Sequence, residues 1–150
     1  MLRRDGGRFR QPLFWDGVAW ALRLVLVGGH LLFGIIAIVR PNLPLLFQGY
    51  SAFDDSFGFN LWGLWHLFAA VLLWEVPTRV PFGLISTLFS AFWLFFTGAM
   101  FWAGAELVFG SAVFYLFGAL SLALFGRALW LYLVRVEWFQ RRVLRWPDAG

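Results

Sequence analysis

The chain has 150 residues, 61% of them hydrophobic and only 13% charged, with a mean hydropathy of +0.76. A water-soluble domain carries about 25% charged residues, so this composition excludes a soluble globule and predicts one integral membrane domain. There is no cysteine, which excludes disulfides and thiolate metal sites. The net charge of +4 comes from arginine without any lysine, and reads as a topology signal with no nucleic-acid partner.

A spanning helix needs about 20 mostly apolar residues. Four windows supply them, at about 17–39, 59–76, 81–103 and 107–134, between basic tails at 1–16 and 135–150. The expected fold class is all-α, a four-transmembrane-helix bundle. The first window is too long and too late for a cleaved leader, and no small-residue cleavage site follows it. Arg40 and Pro41 stop it. The next segment, "RPNLPLLFQGYSAFDDSFGF", is too apolar to float free, and predicts an interfacial stretch with one short amphipathic helix around Leu43 to Phe53. The third window opens on Pro81, which suits a first helical turn where the missing N–H has no partner to lose. The second and third connections are short, so the last three helices are expected as tight antiparallel neighbours.

Orientation follows from arginine. Arg3, Arg4, Arg8, Arg10, Arg23, Arg79, Arg127, Arg135, Arg141, Arg142 and Arg145 fall on one side, and only Arg40 on the other, with Asp54, Asp55 and Glu106. Both termini are therefore expected in the cytoplasm, and the protein in the cytoplasmic (inner) membrane as a multi-pass chain. Trp15, Trp20, Trp62, Trp65, Trp74, Trp102, Trp130 and Trp138 occupy belt positions, with Trp93 the mid-helix exception. "VEWFQRRVLRW" interleaves aromatics with Arg141, Arg142 and Arg145, a pattern suited to lying among anionic headgroups.

Inside lipid, small residues permit close helix approach and polar side chains bond across helices. The helix-packing candidates are Gly34, Gly63, Ser86, Ser90, Gly118 and Gly126. Glu75 and Glu106 fall at helix ends, and Glu75 and Arg79 are spaced to pair. Arg127 is expected to snorkel toward the cytoplasmic side.

The two histidines, His30 in "LVGGHLLFG" and His66 in "LWGLWHLF", are the most informative residues. At roughly 1.5 Å per residue their depths agree to within roughly 3 Å. Three readings stay open. Each His could hydrogen-bond a neighbour such as Ser86, Ser90 or a carbonyl and simply pack the bundle. The pair could line an oligomer pore or sense pH. It could also hold one b-type haem or a pigment, with the adjacent glycines making room and Arg23 meeting a propionate. No third ligand suggests another metal. The absence of a Walker loop, HExxH, Gly-x-Ser-x-Gly and CxxC argues against an enzyme acting alone.

The order of "IVRPNLPLLFQGYSAF", "FNLWGLWHLFAAVLL", "PFGLISTLFSAFWLFF" and an Arg-rich tail resembles the small four-helix, holin-like membrane proteins encoded by bacteriophages. The resemblance covers about residues 20–135. It rests on helix count, loop lengths and scattered Trp, Gly and Pro, and assigns no role to either histidine. It implies a non-enzymatic protein that self-associates into homo-oligomers and permeabilises the cytoplasmic membrane, with lipid as its partner. Two alternatives remain: a membrane anchor or accessory subunit of a redox or photosynthetic complex, binding haem or pigment through His30 and His66, and a structural membrane protein of a larger assembly.

Overall fold

The computed structural model describes residues 3–5, 8–10, 13–75, 82–104, 108–136 and 139. Two short strands, β1 (Arg3–Asp5) and β2 (Arg8–Arg10), pair antiparallel ahead of the helices. The helices are α1 (Leu13–Val39), α2 (Leu43–Leu46), α3 (Ser51–Phe57), α4 (Phe59–Glu75), α5 (Phe82–Ala103) and α6 (Val108–Leu133). A single 3₁₀ turn, Gln48–Tyr50, links α2 to α3. The four long helices match the four apolar windows to within a few residues at each end.

Their lengths decide which can cross a bilayer. At 1.5 Å per residue α1, α5 and α6 reach about 40, 33 and 39 Å, against a hydrocarbon core about 30 Å thick. These three are long and apolar enough to span; the protein is membrane-associated by this criterion. Helix α4, with 17 residues, reaches only about 25 Å. It meets the same criterion only together with the preceding 48–57 segment, from which it turns by 84°. The turn is made at Gly58, whose φ of 89° lies in the left-handed region that a side chain disfavours.

The segment between α1 and α4 departs from expectation. It is not one amphipathic helix: Phe47 is extended (φ −135°, ψ 118°) and splits it. The physical reason lies in what the chain must reach. Gly49 comes so close to the end of α5 that a Cβ on Gly104 would sit 2.9 Å from its carbonyl oxygen. The chain then folds inward, burying Phe53 completely in the mouth of the bundle. Phe53 meets Phe33, Phe59, Trp62 and Phe101 at ring-centroid distances of 4.9–5.8 Å, mostly edge-on. Tyr50 adds to the same cluster. Edge-on pairs suit the quadrupoles of the rings, and together they close one end of the molecule. Leu45, Leu46 and Phe47 stay exposed.

Helix packing is arranged as two close pairs, α1 with α4 and α5 with α6. In the first, Gly34 and Gly63 face each other: a Cβ on either would lie 2.9–3.0 Å from the other's carbonyl oxygen. In the second, Gly98 takes the Tyr115 ring and Gly118 the Phe95 ring at 3.0–3.1 Å. Ser111 and Ser121 of α6 donate to the Gly98 and Thr87 carbonyls of α5. Gly34, Gly63 and Gly118 thus lie directly against a neighbouring helix, whereas among the described residues nothing lies within 4 Å of a Cβ added at Gly126.

Two side chains depart from the sequence reading. Trp62 is not an interfacial anchor. It is fully buried, stacks on Phe57, and donates Nε1–H to Ser56 Oγ at 2.8 Å. Arg127 does not merely snorkel; it pairs with Asp16 of α1, tying α6 to the start of the first helix. Trp15, Trp20, Trp65, Trp74, Trp102 and Trp130 are exposed, as belt residues would be. Asp54, Asp55 and Glu75 are exposed. Arg79, Pro81, Glu106, Trp138, Arg141, Arg142 and Arg145 lie outside the described residues.

Candidate functional site: a buried histidine pair

His30 and His66 meet directly. Both are wholly buried, and Nδ1 of one lies 2.8 Å from Nδ1 of the other. Their rings are 4.9 Å apart and tilted by 47°. Each ring uses its second nitrogen on α5: His30 Nε2 lies 2.8 Å from Ser90 Oγ, and His66 Nε2 lies 2.8 Å from Thr97 Oγ1. Ser90 and Thr97 are seven residues apart, two helical turns, and so share one face of α5. Three helices thus meet in a chain of four side chains. It runs roughly 10 Å along α5, at 1.5 Å per residue.

The close approach has a local cause. His30 and Gly34 are four apart on α1, and Gly63 and His66 three apart on α4, so each histidine shares a face with a contact glycine. The Gly34–Gly63 contact draws the two backbones together, and this brings two short imidazoles within bonding distance.

The heavy-atom partners fix where the protons are. Thr97 Oγ1 lies 2.7 Å from the Trp93 carbonyl, which only accepts, so the hydroxyl donates there. Its oxygen then accepts from His66 Nε2–H. Neutral His66 therefore presents a bare Nδ1, and His30 must donate Nδ1–H to it. His30 Nε2 is left as an acceptor for the Ser90 hydroxyl. Every bond in the chain points the same way, from Ser90 through His30 and His66 to Thr97 and the Trp93 carbonyl, and the two histidines are opposite tautomers. A chain with all members satisfied is the condition under which buried polar groups cost little.

The polar column continues toward the start of α1 and α5. Arg23, seven residues before His30 on the same face of α1, donates Nε–H to the Leu73 carbonyl and approaches Ser86 Oγ at 3.5 Å. Ser86 also donates to the Gly83 carbonyl. On the other side the column stops. Phe33 lies against His66 with a centroid distance of 4.5 Å, Phe114 meets it edge-on, and the aromatic cluster follows. Trp93 also packs here, stacked on Trp65 and edge-on to Trp62. Its indole Nε1 is a buried donor that finds no acceptor among the described residues.

These contacts bear on the haem and pigment reading. Ligation needs a ring nitrogen free to face the iron or magnesium. All four ring nitrogens are engaged, two with each other and two with hydroxyls. The glycine space is also taken: the Phe117 ring lies 2.9 Å from a Cβ on Gly29, and Gly34 and Ala37 fill the place of one on Gly63. As arranged, the residues do not fit a macrocycle between them.

Of the candidates named from the sequence, the structure brings His30, His66 and Ser90 into one site, with Ser86 beside Arg23. Thr97 was missed as the partner of His66, although its spacing from Ser90 on α5 carried the signal. Asp16 was missed as the partner of Arg127. Each lies near one end of its own helix, and the two ends coincide because α1 and α6 run antiparallel. Compared with family profiles, curated proteins and solved structures, the chain matches none.

Proposed function

We propose that the protein is a holin-like permeabiliser of the cytoplasmic membrane, built as a multi-pass bundle that opens by self-association. The observation that carries this is the placement of its interior polar groups. Arg23, His30, His66, Ser86, Ser90 and Thr97 gather where the α1–α4 pair meets α5, while the outer faces are leucine, phenylalanine and tryptophan. In the closed bundle these groups satisfy one another. If the pairs part and join those of neighbouring copies, the same groups become a polar surface available to line a wet lesion. The seam is suited to parting where His30 and His66 hydrogen-bond to Ser90 and Thr97 across it, because water can replace those bonds. The arginine distribution supports both termini in the cytoplasm, and exposed Leu45, Leu46 and Phe47 support an interfacial role for the segment after α1.

The test is release of a small dye from anionic phospholipid vesicles as the ratio of inserted protein to lipid rises. Leakage that grows more steeply than the ratio supports self-association into lesions. Intact vesicles at every ratio, with insertion verified by flotation, would remove the reading.

A further inference from the structure

We infer that His30 and His66 together form a single proton-binding site, loaded at His30 Nε2 from the Arg23 end of the column and closed at the Trp93 carbonyl. The inference rests on the bond directions and not on the proposed lesion. In the resting chain the one ring nitrogen that accepts from a hydroxyl is His30 Nε2, with Ser90 as its donor. A proton added there needs only one rearrangement: the Ser90 hydroxyl turns away, offering its oxygen as acceptor, and its hydrogen finds a carbonyl one turn back on α5, as serines in helices do. The other bonds of the chain survive.

The charge then has one step available. The Nδ1–H bond of His30 breaks as an Nδ1–H bond forms on His66, across 2.8 Å. His30 is left neutral with its proton on Nε2, and His66 becomes the imidazolium. No electrons move and no other bond changes. Beyond His66 the path is blind. Its Nε2–H already donates to Thr97, Thr97 donates to a carbonyl, and a carbonyl has no proton to pass on. A second proton is refused by geometry, because two Nδ1–H groups would then face each other at hydrogen-bond distance.

The surroundings leave room for no more than a single charge. Phe33 of α1, Phe114 of α6, and Trp93, Ser90 and Thr97 of α5 face the pair, and none is charged. Between Phe59 and Trp74, α4 has no other ionisable side chain, and α5 has none between Phe82 and Ala103. On α6 the one charged group is Arg127, at the far end with Asp16. The cation that shares the column is Arg23, two turns and roughly 10 Å away along α1. No carboxylate among the described residues approaches the site to hold a second proton's charge. Loading therefore adds one positive charge to a column that already contains Arg23, and repulsion from Arg23 opposes entry of any further proton.

The experiment is nitrogen NMR on the intact chain, labelled with ¹⁵N-histidine and held in bicelles. At neutral pH the expected spectrum shows the Nδ1–H tautomer for His30, the Nε2–H tautomer for His66, and a through-hydrogen-bond coupling between the two Nδ1 nuclei. On acidification one proton enters the pair, His30 Nε2 acquires it first, and the coupling persists. In Thr97→Val the acceptor that fixes the direction is gone, so both tautomers are expected to reverse. Nε2–H on both wild-type rings, first uptake at His66, two independent titrations, or unchanged tautomers in Thr97→Val would each overturn the inference. Vesicle leakage plays no part in these readouts, so they can fail while the permeabilising function stands, and the reverse.

Discussion

Helix α4 is held on its two sides by opposite means. Toward α1 its close approach depends on Gly63, where there is no room for a side chain, with the His30–His66 and Arg23–Leu73 hydrogen bonds beside it. Toward α5 no glycine of α4 is involved, and the contact combines the His66–Thr97 hydrogen bond with Trp62 and Trp65 packed on Trp93. The first is set by distance and tolerates no added atom. The second is set by chemistry, and any group of suitable size can stand in at a modest loss. The difference sets different expectations for substitutions on the two sides of the helix.

The sharpest way to break the comparison is Gly63→Leu. Its Cβ would meet the Gly34 carbonyl oxygen at 2.9 Å and Ala37 Cβ at 2.9 Å, both on the facing helix and unable to swing aside. Overpacking of this kind costs about 1–3 kcal/mol, occasionally more. The loss should reach the upper end here, because separating α1 from α4 also parts the histidines. Thermal unfolding followed by circular dichroism in a mild detergent should show the largest fall of any single change. If the melting temperature holds, the pair is not set by backbone approach.

The histidine seam should respond less and in a graded manner. His66→Ala leaves His30 Nδ1–H and Thr97 without their partner, and an unpaired buried polar group costs about 1–3 kcal/mol. Thr97→Val keeps the shape and removes one bond, so the loss should fall between the average of about 0.6 kcal/mol and the maximum of about 1.7 kcal/mol found for hydrogen bonds between helices in membranes. The double variant His66→Ala/Thr97→Val should cost less than the sum of the two, because the second change removes a group the first had already orphaned. Additive losses would mean that the two side chains do not share a bond.

How much of this was legible in the sequence follows from the kind of interaction involved. The four long helices were readable because a spanning segment is a local property, written in about 20 consecutive residues. The meeting of His30 with His66 was readable as equal depth, since both helices ascend at a fixed rise. The route by which each ring finds a hydroxyl was not. It depends on the rotation of α5 about its own axis, which side-chain packing sets. Trp62 was misplaced for a related reason. A tryptophan near a helix end reads as a belt residue until the chain before it folds back over the mouth. That return was hidden in an apolar loop whose break at Phe47 carries no local signal. Gly49 and Gly104 meet across the sequence, and no pattern along the chain announces such a contact.

The mildest change tests the comparison from the other side. Gly126 is a small residue like Gly118 on the same helix, yet nothing among the described residues would lie within 4 Å of an added Cβ. If glycine matters only where a neighbour's backbone or ring fills its space, Gly126→Ala should not destabilise. Alanine removes the entropy that glycine carries in a helix interior, worth up to about 1 kcal/mol. The melting temperature should therefore stay level or rise slightly, while Gly118→Ala, 3.1 Å from the Phe95 ring, should lower it. A fall with Gly126→Ala would reveal a close neighbour at that position, supplied from outside the described residues or by a second copy of the chain.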